Sequence, residues 1–203
     1  MAQPAHQVGD VPNRFDRRRE KTRVDLIAAA ERVISRKGYH QTRIADIAGE
    51  ADVGLGTFYL HFKTKNEIFI ELIEQGATEL RRNLAEAKAG VHTPAEKLQI
   101  TIGTILDAAA EAPELFRIVF GHSPAFLDLM VRVHNLFIDD LRDELAPALG
   151  ERADAVAHLT IGMLSQAISW LLASRDLSHA ELKNTTINFA LGGLERASRL
   201  GAP

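Results

Sequence analysis

The sequence predicts an all-α protein of about nine helices, with a small N-terminal three-helix domain followed by a larger helical domain. Three observations carry this. Apolar residues recur at i, i+3 and i+4 in most segments, which gives each one a single buried helical stripe. Helix starters and stoppers punctuate the chain, as at Gly38, Gly90, Thr93-Pro94 and Gly150. No run alternates apolar and polar residues as a half-buried strand requires, and no internal repeat is present.

The composition is that of an ordinary globular protein: 203 residues, 46% apolar and 25% charged. There is no cysteine, which excludes disulfides, thiolate metal sites and cysteine nucleophiles and fits a reducing cytoplasm. No signal-peptide pattern opens the chain, and no stretch approaches the ~18 uninterrupted apolar residues of a membrane span. The expectation is a cytoplasmic protein without a membrane segment. Walker-type, HExxH and G-x-S-x-G patterns are missing, and Gly54-Leu55-Gly56 lacks the third glycine and preceding strand of a dinucleotide site. An enzyme is therefore not expected, and no cofactor is.

Residues 1–16 read as a disordered arm with a basic end. From Arg14 to Arg23 six basic residues face only Asp16 and Glu20, a pattern that fits both a solvated helix start and an arm reaching along phosphates. Helix one runs from about Arg17 to Lys37 on a stripe of Leu26, Ile27, Ala30, Val33 and Ile34, and Gly38 stops it. Thr42 is the expected N-cap of helix two, about Arg43 to Glu50, whose stripe is Ile44, Ile47 and Ala48. After the short turn Ala51-Asp52-Val53, a third helix buries Phe58 and Phe62 and leaves Leu55, Gly56, Thr57, Tyr59 and His61 outside. This N-terminal domain spans residues 17–64. Thr64 and Glu67 form a capping box for helix four, 65–89, which places Lys63 and Lys65 at a helix N-terminus and connects the domain to residues 65–203.

On spacing alone, helices two and three fit a helix-turn-helix or a plain structural hairpin. Charge favours the first. Residues 1–65 hold twelve Lys/Arg against eight Asp/Glu, whereas residues 66–203 hold twelve against nineteen, so an acidic chain has concentrated its phosphate-seeking charge at one end. Gly38-Tyr39, Thr42, Ile44-Ala45-Asp46-Ile47-Ala48, Val53, Gly56-Thr57-Phe58-Tyr59-Leu60-His61-Phe62 and Lys65 resemble the DNA-binding signature of TetR/AcrR-family transcriptional regulators over about residues 20–70. The resemblance implies a homodimer, most often a repressor, that binds a palindromic operator in double-stranded DNA and whose C-terminal domain binds a small molecule. It also implies DNA contacts from Thr42, Arg43, Leu55, Gly56, Thr57, Tyr59 and His61, with Lys65 at a phosphate; the place of Lys63 at the same helix N-terminus adds it to the expected phosphate contacts. Asp52 departs from the family pattern, which has Gly there; Asp tolerates positive φ at some cost.

The remaining helices follow the punctuation. Thr93 caps helix five to about Glu111; Ala112-Pro113 opens a short helix six through Phe120; Ser123 caps helix seven to about Ala146. Helix eight spans about Glu151–Ser174 and helix nine about Ser178–Leu200. Helix eight is apolar almost all round, so it must be covered on two sides. A four-helix dimer interface is expected from helices eight and nine of two copies, through Ile161, Leu164, Ile168, Leu171, Phe189, Gly193 and Leu194. For a small lipophilic effector, such as a fatty acyl derivative, drug or terpenoid, the expected contacts are Phe116, Phe120, His122, Met130, His134, Phe137, Gln166 and Trp170; the same residues also suit an ordinary core. No metal is expected, because His122, His134 and His158 are far apart and lack carboxylates at ligand spacing. Helix four is the expected moving element. The rival reading is a dimeric DNA-binding protein with no small-molecule ligand, acting architecturally or under a protein partner; it would have a tightly filled C-terminal core.

Overall fold

The computed structural model describes residues 13–120, 124–173 and 176–199, and those residues fold into nine α-helices and no strand. They are α1 (Arg14–Gln41), α2 (Ile44–Glu50), α3 (Leu55–His61), α4 (Lys65–Ala87), α5 (Pro94–Glu111), α6 (Pro113–Phe120), α7 (Leu127–Leu149), α8 (Ala153–Ala173) and α9 (His179–Arg199), with single 3-10 turns at Pro124–Phe126 and Gly150–Arg152. The expected caps at Ser123 and the expected contact His122 lie outside the described residues.

The first helix begins earlier than its apolar stripe. Asn13 caps it by accepting from the amides of Phe15 (2.7 Å) and Asp16 (3.1 Å), so residues 14–16, read from sequence as the end of a disordered arm, are helical. At the other end Gly38 has φ 73° and ψ 161°, a conformation that only glycine adopts without strain, and the chain kinks there as expected of a stop. Thr42 is not the N-cap of α2. It is 2% exposed and donates its hydroxyl back to the Gly38 carbonyl (2.8 Å), which closes the end of α1. Arg43 stands in the cap position, and the Asp46 carboxylate accepts from its amide (2.9 Å).

The turn after α2 is a Schellman motif. Val53 N–H donates to the Ala48 carbonyl (2.9 Å), Asp52 N–H to that of Gly49 (3.2 Å), and Asp52 takes φ 53° at the position where glycine is usual. Phe58 and Phe62 then pack with Leu26, Ile34, Ile47, Ile68 and Phe69 in the N-terminal core. Thr64 caps α4 through the Glu67 amide (3.2 Å), while the Glu67 carboxylate accepts from Lys63 N–H (2.6 Å), one residue beyond the amide that a standard capping box would use.

Sequence spacing did not reveal that the N-terminal core continues into the second half of the chain. Ile118 and Val119 of α6, Phe126 and Leu129 belong to the same cluster as Phe58 and Phe69. A second cluster, including Leu98, Ile102, Leu141, Leu145, Ala157, Leu164 and Ile168, joins α4, α5, α7, α8 and α9. Phe120 packs against both. Helix α7 runs through Pro147 to Leu149 instead of ending near Ala146, because Leu145 and Leu149, four residues apart, are both buried. The segment 124–173 contains an 18-residue window of mean hydropathy 1.4, enough by length and composition for a membrane helix, yet α8 buries Ile161, Leu164 and Ile168 against its neighbours.

Candidate nucleic-acid face and apolar cavity

Helix α3 is held by its buried side. Phe58 and Phe62 are fully covered, with ring centroids 5.8 Å apart. Arg23 of α1 pairs with Glu71 of α4, donates to the His61 carbonyl (3.2 Å) and lies 4.6 Å over the Phe62 ring. One guanidinium thus fixes α1, the end of α3 and α4 together. On the opposite side Leu55, Gly56 and Tyr59 are exposed, Tyr59 by 56%, and Thr57 and His61 are partly so. Gly56 and Thr57 at its centre are small, so the backbone there can approach a groove closely between the longer Leu55 and Tyr59.

Of the remaining expected contacts, Arg43 and Lys63 are exposed beside this face. Thr42 is not available through its side chain, as its burial and its bond to Gly38 require. Lys65 is half-buried: its ammonium donates to the carbonyls of Tyr39 (3.0 Å) and Thr42 (3.1 Å) and lies 4.2 Å over the Tyr39 ring. Burial lowers its pKa. Two of its three donors are spent joining α4 to the α1–α2 corner, leaving one for a phosphate.

Two ion-pair groups brace α2. Glu50 pairs with Arg32 (2.7 Å) and Arg36, and Asp46 with Lys37 (2.9 Å), all from α1. Hydrogen bonds from those partners hold both carboxyls below their usual range. The helical start of α1 adds a feature that its sequence left open. Phe15, Arg18, Arg19 and Thr22 line a surface hollow with Leu60 and His61, so the basic run flanks the end of α3 as an ordered helix. His61 is pushed to lower pKa by burial and then by Arg19 and Arg23.

A cavity of about 260 Å³ lies in the second half, bounded by α4, α5, α6, α7 and α8. Phe116, Phe120 and Phe137, three of the candidate effector contacts, line it with Leu72, Leu80, Ile105, Leu164 and Ile168. The other expected contacts do not converge on it. Gln166 is exposed on α8, Met130 packs against the N-terminal core, and Trp170 sits against the second core away from the lining. His134 is one layer back. It meets Ser165 Oγ (3.2 Å), which does line the cavity, and the Phe120 ring (5.5 Å), and burial lowers its pKa. His158 instead bonds the carbonyl of Asp154 in its own helix (2.9 Å).

The expected dimer residues also divide. Ile161, Leu164, Ile168 and Leu194 are buried in the protomer's own core, and Leu171 is half-buried against it. Phe189, 76% exposed, and Gly193 lie outside, with Leu159 (74%), Gly162 and Gly192. A helix that is apolar all round gives no phase, so the sequence could not tell its core side from its free side.

Residues 26–72, the core of this helix-turn-helix, match the family model described as bacterial regulatory proteins, tetR family. The DNA-binding half of the chain is thus similar to that of tetR-family regulators over these residues. An uncharacterised HTH-type transcriptional regulator of Haemophilus influenzae is 24% identical over 133 residues, 63% of this chain and 65% of that protein, so the chain matches just under two thirds of that relative's length. Solved structures of the TetR fold superpose more completely. FadR from Bacillus halodurans (TM-score 0.72, 21% identity) covers 85% of this chain with 96% of its own. FadR from Bacillus subtilis, in complex with stearoyl-CoA (TM-score 0.72, 21% identity), covers 84% with 98% of its own. A TetR-family regulator from Streptomyces coelicolor (TM-score 0.69, 18% identity) covers 88% with 97%.

Proposed function

We propose that the protein is a dimeric, sequence-specific DNA-binding transcriptional regulator, a repressor released from a palindromic operator by a small lipophilic molecule. The observation that carries this is the double duty of α4. Its first residue, Lys65, is bonded to the α1–α2 corner, and its second half, from Leu72 to Asn83, forms one wall of the cavity. Helix α6 makes a second link: Phe116 faces the cavity, Ile118 sits in the N-terminal core, and Val119 and Phe120 take part in both. An occupant that shifts either helix moves the DNA-binding face. Paired recognition helices must match major grooves roughly 34 Å apart, so a small swing changes affinity. The effect is reciprocal, and operator weakens effector binding by the same factor.

The exposed strip of Leu159, Gly162, Phe189, Gly192 and Gly193 on α8 and α9 supplies a self-complementary surface for the homodimer, the glycines allowing close helix approach. The stearoyl-CoA bound by one structural relative is consistent with an apolar effector. The cavity itself favours this reading over a ligand-free architectural protein, for which a filled core is expected.

Selection from a random duplex pool by the purified protein at near-physiological salt tests the reading. An inverted repeat with half-sites one or more helical turns apart is the expected result. Enrichment of no motif, with binding that vanishes as salt rises, leaves phosphate attraction alone and overturns it.

A further inference from the structure

The cavity has a wet end and a dry end, and they differ in charge. Among its described lining residues, those exposed to solvent are Gly76, Glu79 and Asn83 on α4 and Glu111 at the end of α5. The mouth therefore opens between α4 and the C-terminal end of α5. The only ionised groups among the described lining residues are Glu79 and Glu111, and none of those residues is Lys or Arg. The cations that follow Glu79 on α4 are already engaged. Arg82 pairs with Glu79 (3.3 Å) and reaches Glu86 (3.8 Å), and Arg81 is bonded to Asp140 of α7 (2.5 Å). On α5, Asp107 one turn before Glu111 holds Lys183 (2.8 Å) and His179 (2.7 Å). Deeper in, polar chemistry is nearly spent: Ser165 donates to the Ile161 carbonyl (2.8 Å) and meets His134 through its remaining capacity.

The surrounding field has the same sign, since residues 66–203 carry nineteen Asp/Glu against twelve Lys/Arg. An apolar pocket with carboxylates at its rim rewards a ligand whose apolar body enters and whose cationic end stays at the mouth. A carboxylate or a phosphate-bearing carrier would bring negative charge to Glu79 and Glu111, where the one cation paired at the rim, Arg82, is already shared between Glu79 and Glu86.

We infer that the effector is a cationic amphiphile, an apolar body ending in an amine or quaternary ammonium group held at Glu111 and Glu79, and not an anionic acyl compound. This rests on the ligand-responsive reading above and adds the class of ligand to it. The test is titration calorimetry of the full chain with three decyl probes below their micelle concentrations: decyltrimethylammonium, decan-1-ol and decanoate. The cation binds tightest and decanoate weakest, with a spread of about tenfold, each exposed charge contact being worth up to ~fivefold. Glu111→Gln, at an exposed position that leaves the fold alone, narrows the spread by about threefold, as does added salt. Ala108→Trp, which fills the cavity, abolishes binding of all three probes; cation binding that survives it places the site elsewhere and overturns the inference. Equal affinities, a preference for decanoate, or indifference to Glu111→Gln overturns the charge assignment and leaves the cavity standing. Failure of all three probes to bind overturns the cavity reading and the inference with it.

Discussion

Gly38→Ala tests how tightly the two halves are joined. Gly38 lies at φ 73°, ψ 161°, where an L-residue is strained by roughly 1–3 kcal/mol. Its new Cβ would stand 3.2 Å from Glu114 Oε2, close enough that the carboxylate must give way and so loosen its pairing with Arg117 (3.1 Å). The reduced freedom of the unfolded chain returns about 0.4–1 kcal/mol. The net loss is thus about 1–2 kcal/mol, or a fall in Tm of about 3–6 °C for a chain of this length. Calorimetry at one fixed protein concentration reads it, since a dimer's Tm depends on concentration. Because the Gly38 carbonyl receives Thr42 and the neighbouring Tyr39 carbonyl receives Lys65, DNA affinity falls with stability. Gly56→Ala is the contrast: its Cβ meets nothing within 4 Å and its φ is ordinary, so stability rises by up to ~1 kcal/mol. Equal Tm values for Gly38→Ala and the parent protein would refute the strain argument.

Lys65→Ala loses two carbonyl contacts as well as a positive charge, so it lowers Tm by several degrees in addition to weakening operator binding; weakened binding at unchanged Tm would return Lys65 to a purely phosphate-facing role. Tyr59→Ala, at a 56% exposed position, reduces operator affinity by about tenfold in fluorescence anisotropy and leaves the melting curve alone. Phe189→Asp yields monomers in sedimentation, whereas Leu164→Ala, a core change, costs about 2–5 kcal/mol of stability; dimers from Phe189→Asp would rule out the exposed α8–α9 strip. For pH, His61 is held below its ordinary value in the free protein, so folding favours its neutral form and stability declines as pH falls through about 6.5. Operator phosphates would raise that pKa, so DNA binding takes up a proton and affinity increases as pH falls; His61→Gln removes the slope, and a slope that persists assigns it to another group.

Much of the N-terminal domain was legible because its signals are local. The Ile44, Ile47, Ala48 stripe, the Thr64 cap and the positive φ of Asp52 depend on neighbours within a few residues, and all three appear in the structure. Thr42 shows where this fails: a Thr before a helix has the chemistry of an N-cap, but here its hydroxyl found the carbonyl four residues back, and the α1–α2 corner buried it. Lys65 fails similarly, since two of its acceptors are Tyr39 and Thr42, more than twenty residues away in the chain.

The sequence by itself determined the helices, most of their ends and the family signature that residues 26–72 match, because periodicity, caps and turn residues act over one or two turns. Tertiary structure alone decided which side of α8 is free, which aromatic residues surround the cavity, that α6 is shared by both cores, and that carboxylates rim the mouth. Each depends on how helices distant in sequence rotate and approach one another. A helix apolar on every side carries no record of that rotation, and Glu79 and Glu111 become neighbours of one opening only when α4 and α5 pack.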